Sequence, residues 1–294
     1  MEHRLSPGLG VAMLLGVASA FASNHLCARI AFDHGASVAA AVSVRACSTA
    51  LILLLAMRLQ RVPLAIPRGM RVPALAAGLL IAVQSYCLYS AVARIPPALA
   101  LLVFQTSPML YVLLTWALGK ERPRWRALVP MIAALAGLAL ALNLSQGRLE
   151  ARWDEIGAGV AWAFASGAAM TIVYYLNANA LKSLDGRLRT GVMTAITGLL
   201  VVTVGAVSGL LKLPTGGAGW TGLVLLTIFY CVAMITLFYL LPRLPTTTTV
   251  ALNFEPIALL VLSWLVLGYT VTPLQIAGAC LTVGAIAWLG LAKR

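Results

Sequence analysis

Charge is what this sequence has least of. Asp, Glu, Lys and Arg make up 10% of its 294 residues, and only 8 of them are acids. With 61% hydrophobic residues and a mean hydropathy of +0.95, no soluble domain fits, and the class is a polytopic α-helical membrane protein. Ten-residue alternating strands are lacking, which excludes a β-barrel reading. Histidine is scarce as well: of 3, His3 lies at the chain end and His34 in a loop, so no metal cluster is expected. Cys27, Cys47, Cys87, Cys231 and Cys280 all fall within apolar runs with no CxxC spacing, so neither a disulfide framework nor a zinc site is expected. No GxxxxGK[ST] motif occurs, so the chain itself does not hydrolyse ATP. No cofactor is called for. The net charge of +13 comes without a basic patch interleaved with aromatics, so no nucleic-acid partner is expected.

What remains is ten apolar runs, at 8–32, 37–57, 72–93, 97–118, 127–143, 155–176, 190–210, 219–241, 246–267 and 273–292. Short separators rich in Arg, Pro and Gly divide them. The first run partly resembles a secretory signal, with Ala18–Ala20 as an A-x-A site. It reads better as an uncleaved span, because the apolar stretch continues past that site and AFAS (20–23) recurs at 163–166. Ten spans place both termini on one side. Of the 21 Lys and Arg, fifteen flank the termini side and four (Arg94, Arg148, Arg152, Lys212) the other, while Arg29 and Arg45 lie inside spans. The positive-inside rule then puts both termini in the cytoplasm of a bacterial-type inner membrane.

The run TTTTVALNFEPIALLVLSW (246–264) holds the only acid deep inside an apolar stretch, Glu255, directly before Pro256. Proline removes a backbone donor and frees the carbonyl of Leu252. In lipid such a defect is tolerated only against protein or a water-filled cavity. Glu255 lies roughly 13 Å into the span at 1.5 Å per residue, near the middle of a hydrocarbon core about 30 Å thick. An acid there is a functional residue by default; the alternative is a structural pairing with an intramembrane Arg.

The chain also repeats itself. ARIPPALALLVFQTSP (93–108) corresponds to PRLPTTTTVALNFEP (242–256), and SPMLYVLLTWALG to EPIALLVLSWLVLG, with Trp116 matching Trp264. The offset is about 148 residues, half the chain. Two five-span halves, 1–147 and 148–294, follow. An odd span count inserts them in opposite orientations, and inverted repeats with broken helices around a midplane site are a transporter signature. The pattern Pro108…Trp116…Gly119-Lys120-Glu121…Gly137, repeated as Glu255-Pro256…Trp264…Gly268…Gly284, resembles the EamA-type branch of the drug/metabolite transporter superfamily, as two EamA-like units. In overall layout the chain looks most like the bacterial exporters of aromatic and other amino acids. One departure is Tyr269, where the family's second unit often has Glu. The resemblance implies a central cavity lined by spans 1, 3, 4, 6, 8 and 9, with spans 5 and 10 peripheral.

The expected substrate-cavity residues are Asn24, His25, Gln84, Tyr86, Gln105, Thr106, Ser107, Trp162, Tyr230, Asn253 and Glu255, with Pro108 and Pro256 as helix breaks. Gln105, Thr106 and Ser107 mirror Asn253 and Glu255 across the repeat. His25 is a proton-linked switch or a packing residue. Arg29 snorkels or pairs with Asp33. Arg45 pairs with Glu255 or serves its own half, the second being preferred. Tyr86, Trp162 and Tyr230 supply apolar walls with polar handles, whereas Tyr174, Tyr175, Trp153 and Trp220 suit the interfacial belt. The expected activity is export of amino acids, including aromatic and apolar ones, or related metabolites by alternating access, by a chain that works as a monomer. Drug or lipid-precursor efflux keeps the same fold. An embedded enzyme is the distant alternative, since Glu255 and His25 are the only pairing of acid and base on offer.

Overall fold

The computed structural model describes residues 7–120, 125–141, 149–240, 248–269 and 271–292. The proposed boundary at 147/148, the beginning of the second proline-flanked repeat (242–247) and Glu121 lie outside the described residues. Everything regular among the described residues is helical. The elements are α1 (Pro7–Asp33), α2 (Val38–Leu59), a 3-10 turn (Arg68–Met70), α3 (Arg71–Val92), α4 (Pro97–Phe104), α5 (Ser107–Ala117) and α6 (Trp125–Ala141). They continue with α7 (Leu149–Ala178), α8 (Gly186–Val207), α9 (Gly217–Leu240), a 3-10 segment (Thr248–Phe254), α10 (Glu255–Leu267) and α11 (Pro273–Ala292). Among the described residues, 7 helical stretches are long and apolar enough to cross a membrane, with α4 and α5 counted as one, and three shorter apolar ones lie at Leu128–Ala141, Ala251–Leu267 and Pro273–Trp288.

Local chemistry sets the ends. Ser37 caps α2 by accepting from the Ala40 amide at 3.1 Å, and Asp185 caps α8 by accepting from the Arg187 amide at 2.8 Å. Pro97 sits in the first turn of α4, where its missing N–H costs nothing. Gly268 ends α10 with φ +66°, a left-handed conformation that glycine adopts freely.

The most extensive helix pairs are α1 with α9, α3 with α7, α2 with α8 and α6 with α11. Each joins a helix before residue 142 to one after residue 148. Small residues permit the closest approaches. A Cβ on Gly278 of α11 would lie 2.5 Å from both the Gly137 carbonyl oxygen and the Ala141 nitrogen of α6. One on Gly222 of α9 would lie 2.8 Å from the Ala31 nitrogen of α1. Such small-residue contacts are how helices associate where lipid removes any hydrophobic drive. The interior is centred on Tyr89, 0% exposed, among Leu102, Val92, Leu223 and Leu226. Leu51, Leu55, Val72, Leu199, Val207 and Leu265 point outward, an apolar exterior suited to acyl chains.

Candidate functional site

Two proline breaks face the interior. α4 stops at Phe104 and α5 starts at Ser107, with Pro108 in its first turn. Because Pro108 has no N–H, the Phe104 carbonyl loses its usual helical donor. Gly167 of α7 packs there: its Cβ would lie 3.3 Å from that oxygen. On the next turn of α7, the Thr171 hydroxyl donates to the Ser107 carbonyl at 3.1 Å. In the second break a 3-10 segment runs to Phe254 and α10 begins at Glu255, with Pro256 in its first turn. The α4 and α10 segments touch each other, through Ala98 and Leu101 on one side and Ala258 and Leu259 on the other. Gln105 and Asn253 are half-buried at the two breaks, and Thr106 is buried.

Glu255 meets His25. Nε2 of His25 on α1 lies 3.3 Å from Oε1 of Glu255, with the side chains 5% and 24% exposed. The contact is an ion pair whenever the ring is protonated. Nδ1 of His25 has no hydrogen-bond partner among the described residues. Tyr174 of α7 joins this cluster. Its hydroxyl faces Ser107 and lies in the electrostatic field of Glu255, and its ring packs edge-on against Tyr111 at 6.4 Å. Tyr174 is half-buried.

Arg45 lies beside this cluster, in contact with Tyr89, whose ring is 5.5 Å from that of His25. It is 5% exposed, donates through Nη1 to the Tyr89 hydroxyl at 3.1 Å and through Nη2 to Ser85 Oγ at 3.0 Å. Its Cζ stands 4.5 Å from the Tyr89 ring centroid and 4.0 Å from that of Tyr230. It does not pair with Glu255. The preferred structural contacts within the first half are present, but Tyr230 ties Arg45 to the second half as well. The network extends from there. Tyr89 donates to Asn24 Oδ1 at 2.7 Å, and Asn24 donates to the Leu226 carbonyl at 2.7 Å. Ser85 donates to Gln84 Oε1 at 3.3 Å, and Gln84 donates to Ser166 Oγ at 3.2 Å. Tyr89, an aromatic of span 3 like Tyr86, and Ser85, which the sequence did not mark, lie one helical turn apart on α3; their i, i+4 spacing puts both on the face that meets Arg45.

Other expected cavity residues are placed elsewhere. Tyr86 and Trp162, in edge contact at 6.3 Å, line a separate cavity of about 380 Å³ between α2, α3, α7 and α8. Its remaining walls are apolar, including Ala39, Ala82, Leu200 and Val204. Arg94 lies over the Trp162 ring at 5.7 Å. Arg29 pairs with Asp33 at 3.0 Å, at the end of α1.

A bundle of apolar helices, two of its membrane segments broken at prolines, with a buried cluster of charged side chains, defines a multi-pass membrane protein. The EamA-like transporter family model matches residues 8–143 and 157–291, as two units. The chain belongs to the EamA-like transporter family and is thereby a membrane transporter of small molecules. No curated protein matches it. A solved structure titled "Crystal structure of protein" is similar in fold, with a TM-score of 0.62 and 20% identity over 99% of this chain and 100% of that one.

Proposed function

We propose that this protein exports amino acids or closely related small metabolites across a bacterial-type inner membrane by alternating access. The observation that carries the reading is the His25–Glu255 contact at a proline-broken helix, with Arg45 held against Tyr89, whose ring lies 5.5 Å from that of His25. Acid, imidazole and guanidinium together offer partners for both ends of a zwitterion, and the surrounding tyrosines offer apolar faces with polar edges. Glu255 also supplies a site at which a proton can be carried.

The chain works as ten spans in two inverted five-helix repeats, 1–147 and 148–294, with cytoplasmic termini. Helix packing supports that arrangement. Exchanging the halves turns the α1–α9 pair into the α7–α3 pair and returns the α2–α8 and α6–α11 pairs to themselves. Thr282 donates to the Ala134 carbonyl at 3.4 Å across an interval of 148 residues, the repeat offset itself, as expected of positions beside a two-fold axis. Counterflow of labelled amino acid into proteoliposomes preloaded with unlabelled amino acid tests the reading.

A second reading is drug or lipid-precursor efflux. The nearly all-apolar 380 Å³ cavity behind Tyr86 and Trp162 favours it, since an acyl or aromatic tail fits there. Transbilayer movement of a fluorescent lipid by the purified protein, without amino-acid exchange, would select it.

A further inference from the structure

Arg45 is a buried cation with no ion-pair partner among the described residues. Its two hydrogen-bonded partners, Tyr89 and Ser85, are neutral. Its Nε has no hydrogen-bond partner among the described residues. The ion pairs among the described residues are His25–Glu255, Arg29–Asp33 and Arg187–Asp185, and Arg45 is in none of them. A guanidinium does not shed its proton in a protein, so the charge persists. An uncompensated charge inside a membrane protein is costly, and intramembrane charges mark substrate paths.

Part of that cost is offset by the two rings that enclose the guanidinium at 4.5 Å and 4.0 Å, through their negative faces. The rings differ in how firmly they are held. Tyr89 is 0% exposed and anchored to Asn24 at 2.7 Å. Tyr230 is half-buried, on α9, and its ring rests edge-on against Phe21 at 5.8 Å. Tyr230 is therefore the less firmly held of the two rings. The Tyr89 ring also lies 5.5 Å from the His25 ring, and His25 touches Glu255 at 3.3 Å.

We infer that Arg45 is the carboxylate-recognising residue of the transport site. A substrate carboxylate displaces the Tyr230 ring and accepts from Nε and a neighbouring Nη, the two-pronged geometry that guanidinium and carboxylate share. This rests on the amino-acid reading above and narrows it: the protein requires a free carboxylate.

The test is a competition series on the full chain in proteoliposomes. The label is whichever of Phe, Met and Thr exchanges fastest, and the competitors are that amino acid, its amide and its decarboxylated amine. The amide and amine are expected to inhibit about 10- to 100-fold less well than the acid. Arg45→Gln is expected to bring that ratio close to one, and Arg45→Lys, which keeps a point charge without the fork, to an intermediate value. A ratio is unmoved by the amount of folded protein, so a merely structural Arg45 would leave it unchanged. An amide as effective as the acid, or an unchanged ratio in Arg45→Gln, overturns the inference. If Arg45→Gln does not fold, the wild-type ratio decides. Amino-acid exchange without discrimination overturns the inference alone, and exchange of no amino acid overturns the reading with it.

Discussion

Nε2 of His25 and Oε1 of Glu255 lie 3.3 Å apart, joining α1 to the start of α10 at the proline break. The contact ties the break in the second half to a helix of the first, so a change of charge at either residue alters how the halves hold together. Glu255→Gln keeps shape and removes the charge. Export by this variant is expected to fall by about tenfold or more, the scale of one charge-assisted contact, or to lose the pH dependence of the wild type. Export measured from pH 5 to pH 8 and unaltered in both rate and profile would remove Glu255 from the mechanism.

The prolines are expected to matter for movement rather than for stability. Pro108→Ala returns an N–H donor to the Phe104 carbonyl, and Pro256→Ala does the same for Leu252. Each variant is expected to melt at or above the wild-type temperature while exchanging substrate several-fold more slowly. A loss of melting temperature with normal exchange per folded molecule would contradict this.

Close helix contact gives a sharper prediction. Gly278→Ala puts a methyl 2.5 Å from two backbone atoms of α6, neither of which is a flexible side-chain end. It is expected to destabilise by about 1–3 kcal/mol, the range for overpacking. Gly16→Ala, where nothing lies within 4 Å, is the control and should leave stability near wild type. Thermal unfolding in detergent compares the two directly.

Asp185 sits in the connection between α7 and α8, as the cap of α8. The Arg187 guanidinium and amide hold its carboxyl below the usual carboxylate range. A depressed acid contributes stability that is present above the ordinary Asp range near pH 4 and is lost as pH falls through the lower folded-state value. Asp185→Ala is expected to cost about 0.5–2 kcal/mol at pH 7, mostly as a lost helix cap, since an exposed ion pair adds little. The gap between variant and wild type should narrow on acidification to pH 3. A gap that is constant with pH would assign the effect to something other than the carboxylate.

Much of this architecture is written in the sequence in ways that physics makes legible. Lipid demands long apolar helices and tolerates broken backbone only inside, so the runs, the prolines and the isolated Glu255 could each be read from composition and spacing. The doubled Pro…Trp pattern announced the two family units. Partner choice was not legible. Glu255 had both Arg45 and His25 within plausible reach, and only the rotation of α1 and α2 about their axes decided that His25 meets the acid while Arg45 turns to Tyr89 and Tyr230. The rotations of α3 and α7 likewise turned Tyr86 and Trp162 to a side cavity. Hydropathy in an all-apolar helix carries almost no information about which face is which, because lipid and protein interior are equally apolar. The polar faces had to be found from pairs one turn apart, such as Ser85 and Tyr89.

The account stands or falls on whether amino acids cross. The direct measurement is counterflow in proteoliposomes holding the wild-type chain, preloaded with mixed unlabelled amino acids and given labelled Phe, Met and Thr outside. Uptake of label that depends on the internal pool is the predicted result, and its order among the three ranks the substrates. Folded protein that takes up none of them would contradict the amino-acid assignment and turn attention to solutes that fit the apolar cavity behind Tyr86 and Trp162.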